Sequence, residues 1–194
     1  MPKRYPVTFI CIFFIASSLF YYFLFTKGFF PIQNQKTSNR SLNAFTNASK
    51  SKRYDDKGKM NLAVKSKHSD HFESPASTIF TEPNFTLPSE NKTVWHIHSN
   101  HGQSFNGGKK IILWGNVILH RPEIPQYPDT IIKTQHLTYF NTEDYAISNT
   151  MTTVTQPGNA SSGNDVRINF KNNNIRIKDH AQGVFSANNN DNKD

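Results

Sequence analysis

Lys109 to Pro122 reads KKIILWGNVILHRP. The run is short, rich in β-branched and aromatic residues, preceded by Gly107–Gly108 and followed by prolines, so it predicts a β-strand rather than a helix. Side chains alternate faces along a strand. That parity puts Ile111, Leu113, Val117 and Leu119 on the face of Gly115, and Ile112, Trp114, Asn116, Ile118 and His120 opposite. The first set is the expected inward face. Gly115 in mid-strand marks either a bulge where another backbone or a ligand approaches, or a simple point of curvature.

The same period recurs on both sides. NLAVKSK (61–67), TIFTEPNFTL (78–87), TVWHIHS (93–99), TIIKTQHLTYF (130–140), AISNTMTTVT (146–155), DVRINF (165–170) and NIRIKDHAQGVF (174–185) are short segments separated by Asn, Gly, Pro or Ser. Strands at this spacing predict one all-β domain, a sandwich, jellyroll or open barrel. In TVWHIHS, Trp95 and Ile97 point one way and Val94, His96 and His98 the other. In TQHLTYF, Leu137 and Tyr139 oppose His136, Thr138 and Phe140. Pro83, Pro122, Pro125 and Pro128 remove ladder donors and belong at edges or connections.

The N-terminus differs in kind. Val7 to Phe25, VTFICIFFIASSLFYYFLF, carries no charge, and its length suits the roughly 30 Å hydrocarbon core of a bilayer. A cleaved signal peptide would have a shorter apolar region ending at a small-x-small site, so the reading is a transmembrane signal anchor over 7–26, with 1–6 on the cytoplasmic side. Residues 27–45 have linker composition, 46–187 form the β-domain, and the tail 188–194 has no apolar residue. The one cysteine, Cys11, lies in the membrane segment, so the β-domain has no disulfide to form.

Catalytic chemistry finds no support. The chain has no G-x-S-x-G and no carboxylate pair in a recognisable frame, and NGGKK (106–110) lacks the spacing of a phosphate loop and reads as a hairpin turn. Of the eight histidines, His96 and His98 share a strand face with His101 nearby, and His68 and His71 form a looser pair. Zinc needs further ligands that no adjacent motif supplies, so these read as surface residues and no metal or cofactor is expected. The net charge of +8 is scattered, densest in KSKRYDDKGK (50–59), without a basic helix or aromatic nucleic-acid motif.

The order of features resembles the LptC family, the bitopic component of the bacterial lipopolysaccharide export system. The carriers are the anchor, then Phe80–Pro83 (F-T-E-P where the family has F-T-Q-P), Leu113–Val117 (L-x-G-x-V) and the closing IRIKDHAQGVF. The resemblance implies a periplasmic β-jellyroll on an inner-membrane anchor, whose apolar interior accepts acyl chains of lipopolysaccharide. It further implies an ATP-binding cassette transporter (LptB, LptF, LptG) upstream at the N-terminal edge, and the bridge protein LptA at the C-terminal edge. By motif, Phe80 and Phe185 are expected to line the lipid path; by parity, Trp95, Ile97, Leu113, Val117, Leu119, Leu137 and Tyr139 join them. Plain core packing is the alternative role for each. An anchored adaptor that joins partners by strand-edge pairing, without lipid, is the competing function.

Overall fold

The computed structural model describes residues 42–89 and 93–185. Twelve antiparallel strands follow in order: β1 (Leu42–Tyr54), β2 (Met60–Glu73), β3 (Ala76–Thr81), β4 (Asn84–Pro88), β5 (Val94–His98), β6 (His101–Phe105), β7 (Lys110–Arg121), β8 (Thr130–Phe140), β9 (Tyr145–Ser148), β10 (Thr152–Gln156), β11 (Asn159–Asn169) and β12 (Asn174–Phe185). The expected membrane segment, 7–26, lies outside the described residues, as does the tail from 188. Among the described residues no helix is long and apolar enough to cross a membrane.

Pairing explains how one sheet makes two layers. Six strands are long, and each lends one half to either layer. β7 pairs with β6 through Lys110–Trp114 and with β5 through Ile118–His120. β8 pairs with β10 through Ile131–Lys133 and with β9 through Thr138–Phe140. β2 does the same with β4 and β3, and β11 with β10 and β9. One layer therefore holds β4, β5 and β10, the other β3, β6 and β9, and the long strands β1, β2, β7, β8, β11 and β12 pass between them. β1 pairs only with β2 and β12 only with β11, so the sheet has two open edges among the described residues.

A long strand can change layers only if its inward face changes with it, which takes a bulge or bend. Left-handed backbone marks these corners: Ala48 in β1, Gly115 and Asn116 in β7, Asp165 in β11 and His180 in β12 all have positive φ. At Gly115 (φ 74°) the first alternative holds, since the β7–β8 register shifts between Trp114 and Val117 and a second backbone approaches. The Asn100 N–H donates to the Gly115 carbonyl at 2.8 Å. A Cβ there would stand 3.2 Å from the Asn100 Cβ. In β8 the buried positions step from Thr134 to Leu137, changing parity at the corner.

Hydroxyl groups fill two of these corners. Ser49, Ser66 and Ser69 lie within 2.6–2.8 Å of one another where β1 and β2 cross. Thr134, Ser148 and Thr152 form a second triangle at 2.8–3.1 Å where β8 crosses. Buried hydroxyls that satisfy each other avoid the cost of unpaired polar groups in places too narrow for larger side chains.

The core lies between the layers as rows of cross-strand neighbours. Val64, Phe85, Ile97, Leu119, Ile132 and Val154 run in register across β2, β4, β5, β7, β8 and β10. Ile111, Tyr139, Ala146, Ile168 and Ile175 do so in the other layer. Each fully buried side chain of this kind contributes roughly 1.5–3 kcal/mol, and the parity expected for β5, β7 and the end of β8 holds.

Several boundaries differ from expectation. β1 begins at Leu42, inside the span read as linker, and ends at Tyr54, within the basic patch at 50–59. Its alternation is masked because no apolar side chain of β1 is buried. The stretch 78–87 is two strands, broken at Glu82 (φ 49°) and Pro83, and 146–155 is likewise β9 and β10. The NGG turn is a 3-10 turn at Asn106–Gly108 between β6 and β7, as its glycines predict.

Candidate functional site

The interior is not uniform along its length. Beneath β1 lies a half-open cavity of about 790 Å³. Its apolar wall is formed by Leu62 and Val64 of β2, Phe80 of β3, Phe85 of β4 and Ile111 of β7. Phe80 and Phe85 come from opposite layers and meet edge to face, with ring centroids 5.8 Å apart. The rest of the lining comes mainly from β1, with Thr46, Ser49, Lys50, Ser51, Lys52 and Arg53, and otherwise from Ser69, His71 and Phe72 of β2, residues 76–78 of β3, Ser104 and the turn glycines Gly107 and Gly108. One side of the cavity is greasy and the other polar.

Arg53 stands at one end of this cavity. Its guanidinium donates to the Gly107 carbonyl and, at 3.3 Å, to that of Gly108, so it reaches from β1 to the β6–β7 turn. Gly108 has φ +85°, and a Cβ there would collide with the guanidinium. Beyond Arg53 is a second, polar pocket of about 480 Å³, bordered by Asp55, Asp56, Lys59, Lys109, Tyr139 and Asn141 among others.

The far half of the interior is filled by large side chains, of which Tyr139 and Phe170 also border the polar pocket. Trp95 is fully buried, with Phe170 edge-on at 5.5 Å and Tyr139 edge-on to Phe170 at 5.3 Å. The Trp95 Nε1–H donates to Asn173 Oδ1 at 3.0 Å. Arg121, 2% exposed, lays its guanidinium 5.2 Å from the Trp95 ring and 4.9 Å from that of Tyr127, and donates to Thr130 Oγ1 at 2.7 Å and the Pro128 carbonyl at 3.1 Å. Burial lowers its pKa, and Tyr127 and Asp129 oppose that shift. Burial also raises the pKa of Tyr139, assisted by Asp144, whose carboxylate accepts from the phenol at 3.2 Å.

These two halves sort the residues expected to line a lipid path. Phe80 lines the cavity. Trp95, Ile97, Leu113, Val117, Leu119 and Leu137 are core residues away from its wall, and Tyr139 borders the polar pocket instead. Phe185 is 73% exposed at the end of β12 and lies outside the interior altogether. Leu62, Val64 and Phe85 were absent from the expected set, although Leu62 and Val64 share one parity in NLAVKSK and could have been found by it. Arg53 gave no such signal, because its strand was unrecognised.

His71 borders the cavity, and several other histidines pair on the outside of the sheet. His96 is directly opposite His120 across β5 and β7, His101 stacks on Trp114, and His120 pairs with Asp129 at 2.7 Å. Among the described residues no group of three or more His, Cys, Asp or Glu side chains could hold a metal ion.

A two-layer antiparallel fold with crossing long strands, open edges and an apolar cavity matches the family that the motif order resembles. The model for lipopolysaccharide-assembly, LptC-related proteins matches residues 9–186. The chain belongs to the LptC family. Its structure is also similar to the crystal structure of LptH, the LptA-homologous periplasmic component of the conserved lipopolysaccharide transport device from Pseudomonas aeruginosa, with a TM-score of 0.53. That likeness covers 65% of this chain and 95% of LptH at 12% identity, so it bears on the fold alone. No curated protein matches the chain. Membership places the protein among the non-enzymatic components of lipopolysaccharide transport.

Proposed function

We propose that this LptC-family protein carries lipopolysaccharide by its acyl chains, receiving them from the inner-membrane transporter formed by LptB, LptF and LptG and passing them to LptA. The observation that carries the reading is the half-open cavity walled by Leu62, Val64, Phe80, Phe85 and Ile111 beneath a polar strand. Apolar pockets of this size class bury most of a small ligand's surface. Shielding matters because each methylene left in water costs about 0.8 kcal/mol, so an exposed chain of roughly a dozen carbons costs on the order of 10 kcal/mol. Direction comes from ATP hydrolysis in the partner, since no nucleotide-binding motif occurs in this chain. Residues 7–26 anchor the domain in the inner membrane, with the jellyroll in the periplasm.

The open edges suit the two hand-overs. β1 offers one unpaired edge to the transporter's side and β12 the other to LptA, by strand addition. Exposed Val184 and Phe185 on β12 also favour the competing reading, an adaptor that joins partners without lipid. A photoreactive residue at Phe80, with Leu137 as the core control, separates the two in cells. A lipopolysaccharide adduct at Phe80 that requires an active transporter supports carriage. Its absence, with the protein folded and both partners bound, supports the adaptor.

A further inference from the structure

We infer that Arg53 is the headgroup-recognition residue of the cavity, binding the phosphate of an amphiphile whose acyl chains lie against Phe80 and Phe85. The inference rests on the lipid-carrying reading and adds to it a named polar contact. Three observations converge on this residue. First, among the described residues Arg53 alone borders both the apolar cavity and the polar pocket, so it stands where the greasy and polar parts of an amphiphile would meet. Second, among the described residues its guanidinium donates to neutral groups, the Gly107 and Gly108 carbonyls, and stands in no ion pair. Third, guanidinium has five N–H donors in a fixed plane. Two are used on those carbonyls, and the rest remain for a ligand.

The turn carbonyls therefore act as a clamp. A guanidinium held by one edge has little rotational freedom left to lose when an anion binds the other, and bidentate geometry suits phosphate better than a lysine's point charge does. The turn is shaped for it, because a side chain on Gly108 would occupy the guanidinium's place. Lys59, Lys109 and Lys171 border the adjoining pocket together with Asp55, Asp56 and Asp144; Asp55 is turned to its own loop, accepting from the Lys57 and Lys59 N–H groups at 3.0 and 2.8 Å, and Asp144 accepts from the Tyr139 phenol at 3.2 Å. Amphiphile phosphates have two sources, a phosphorylated sugar headgroup and a phospholipid.

The test measures binding of lipopolysaccharide, and of the same lipid stripped of phosphate, to the full-length protein in mild detergent. The wild type should prefer the phosphorylated form on the order of tenfold, the scale of one charge-assisted hydrogen bond. Arg53→Gln should abolish the preference and leave binding of the stripped lipid unchanged, and Arg53→Lys should restore part of it. Competition by phosphatidylglycerol that Arg53→Gln removes assigns the site to phospholipid phosphate; no competition assigns it to the sugar phosphate. An equal loss for both lipids in Arg53→Gln overturns the inference, leaving Arg53 a structural tie between β1 and the turn. A preference that survives Arg53→Gln overturns it too. If the wild type binds neither lipid, the carriage reading itself falls; if it binds both equally, only the Arg53 assignment does.

Discussion

The Trp95 end and the Phe80 end of the same interior are built from the same alternation, yet one is sealed and the other open. At the sealed end large and hydrogen-bonded groups converge: Trp95, Phe170 and Tyr139 interlock edge to face, Asn173 accepts from the indole, and Arg121 closes over the ring. At the open end, β1 presents Thr46, Ser49 and Ser51 to the interior where an apolar wall would complete a core. A strand that buries no large side chain is held by its ladder to β2 and by a few polar ties, and the volume beneath it stays unfilled. Stability and ligand space thus occupy different ends of one sandwich.

Substitution at the two ends should break this contrast if it is wrong. The largest effect is expected at Trp95→Ala, which removes a fully buried ring and leaves Asn173 Oδ1 with only the longer bond from Thr93. Loss of about 3–5 kcal/mol is expected by chemical denaturation. Phe80→Ala should cost nearer the transfer term alone, about 2 kcal/mol, because the space beside it is already open. Its effect should appear in lipid adduct yield instead. Equal destabilisation by the two would mean that the cavity is not there in solution.

Gly115→Val comes next. It combines φ of 74° with a Cβ 3.2 Å from Asn100 at the corner where β7 changes layers. A cost of about 1–3 kcal/mol in the denaturation midpoint is expected.

A smaller effect sharpens the comparison through pH. Tyr139 has a folded pKa raised above its ordinary 10.0, first by burial and then by Asp144. The neutral phenol is thus favoured in the folded state, so its contribution is complete below pH 10.0 and falls as pH rises beyond it. Tyr139→Phe should flatten the decline of stability above that pH relative to the wild type. Identical alkaline slopes would show that the phenol is not desolvated. The smallest effect is expected at the edge: Val184→Ser with Phe185→Ser should change stability by less than about 0.5 kcal/mol, while weakening co-purification of the partner at β12. Loss of fold instead would place those side chains in a core.

How much of this was legible beforehand depended on whether a segment buries its side chains. β5, β7 and the second half of β8 bury alternate large residues, so parity alone identified Trp95, Ile97, Leu113, Val117, Leu119, Leu137 and Tyr139 as inward. β1 buries none, so period two left no trace in LNAFTNASKSKRY; its first four residues were read as linker and the rest was not recognised as a strand. The break of 78–87 at Glu82 and Pro83 was legible only in part. Proline announced a limit to pairing, but that the two halves join different layers depends on which β2 half each one meets.

The sequence by itself determined the all-β class, the inward faces of its apolar strands, the turn at Asn106–Gly108 and, through the order of its motifs, the LptC family. These follow from local rules, since alternation and turn chemistry act over a few residues. Only the tertiary structure decided which inward residues meet a cavity and which meet each other. That division depends on where six long strands cross between layers and on a polar edge strand stopping the core short, and both are settled by contacts between residues far apart in the chain. Arg53 shows the point most directly: its place between cavity and pocket exists only once the turn at Gly107 and Gly108, more than fifty residues away, has folded against it.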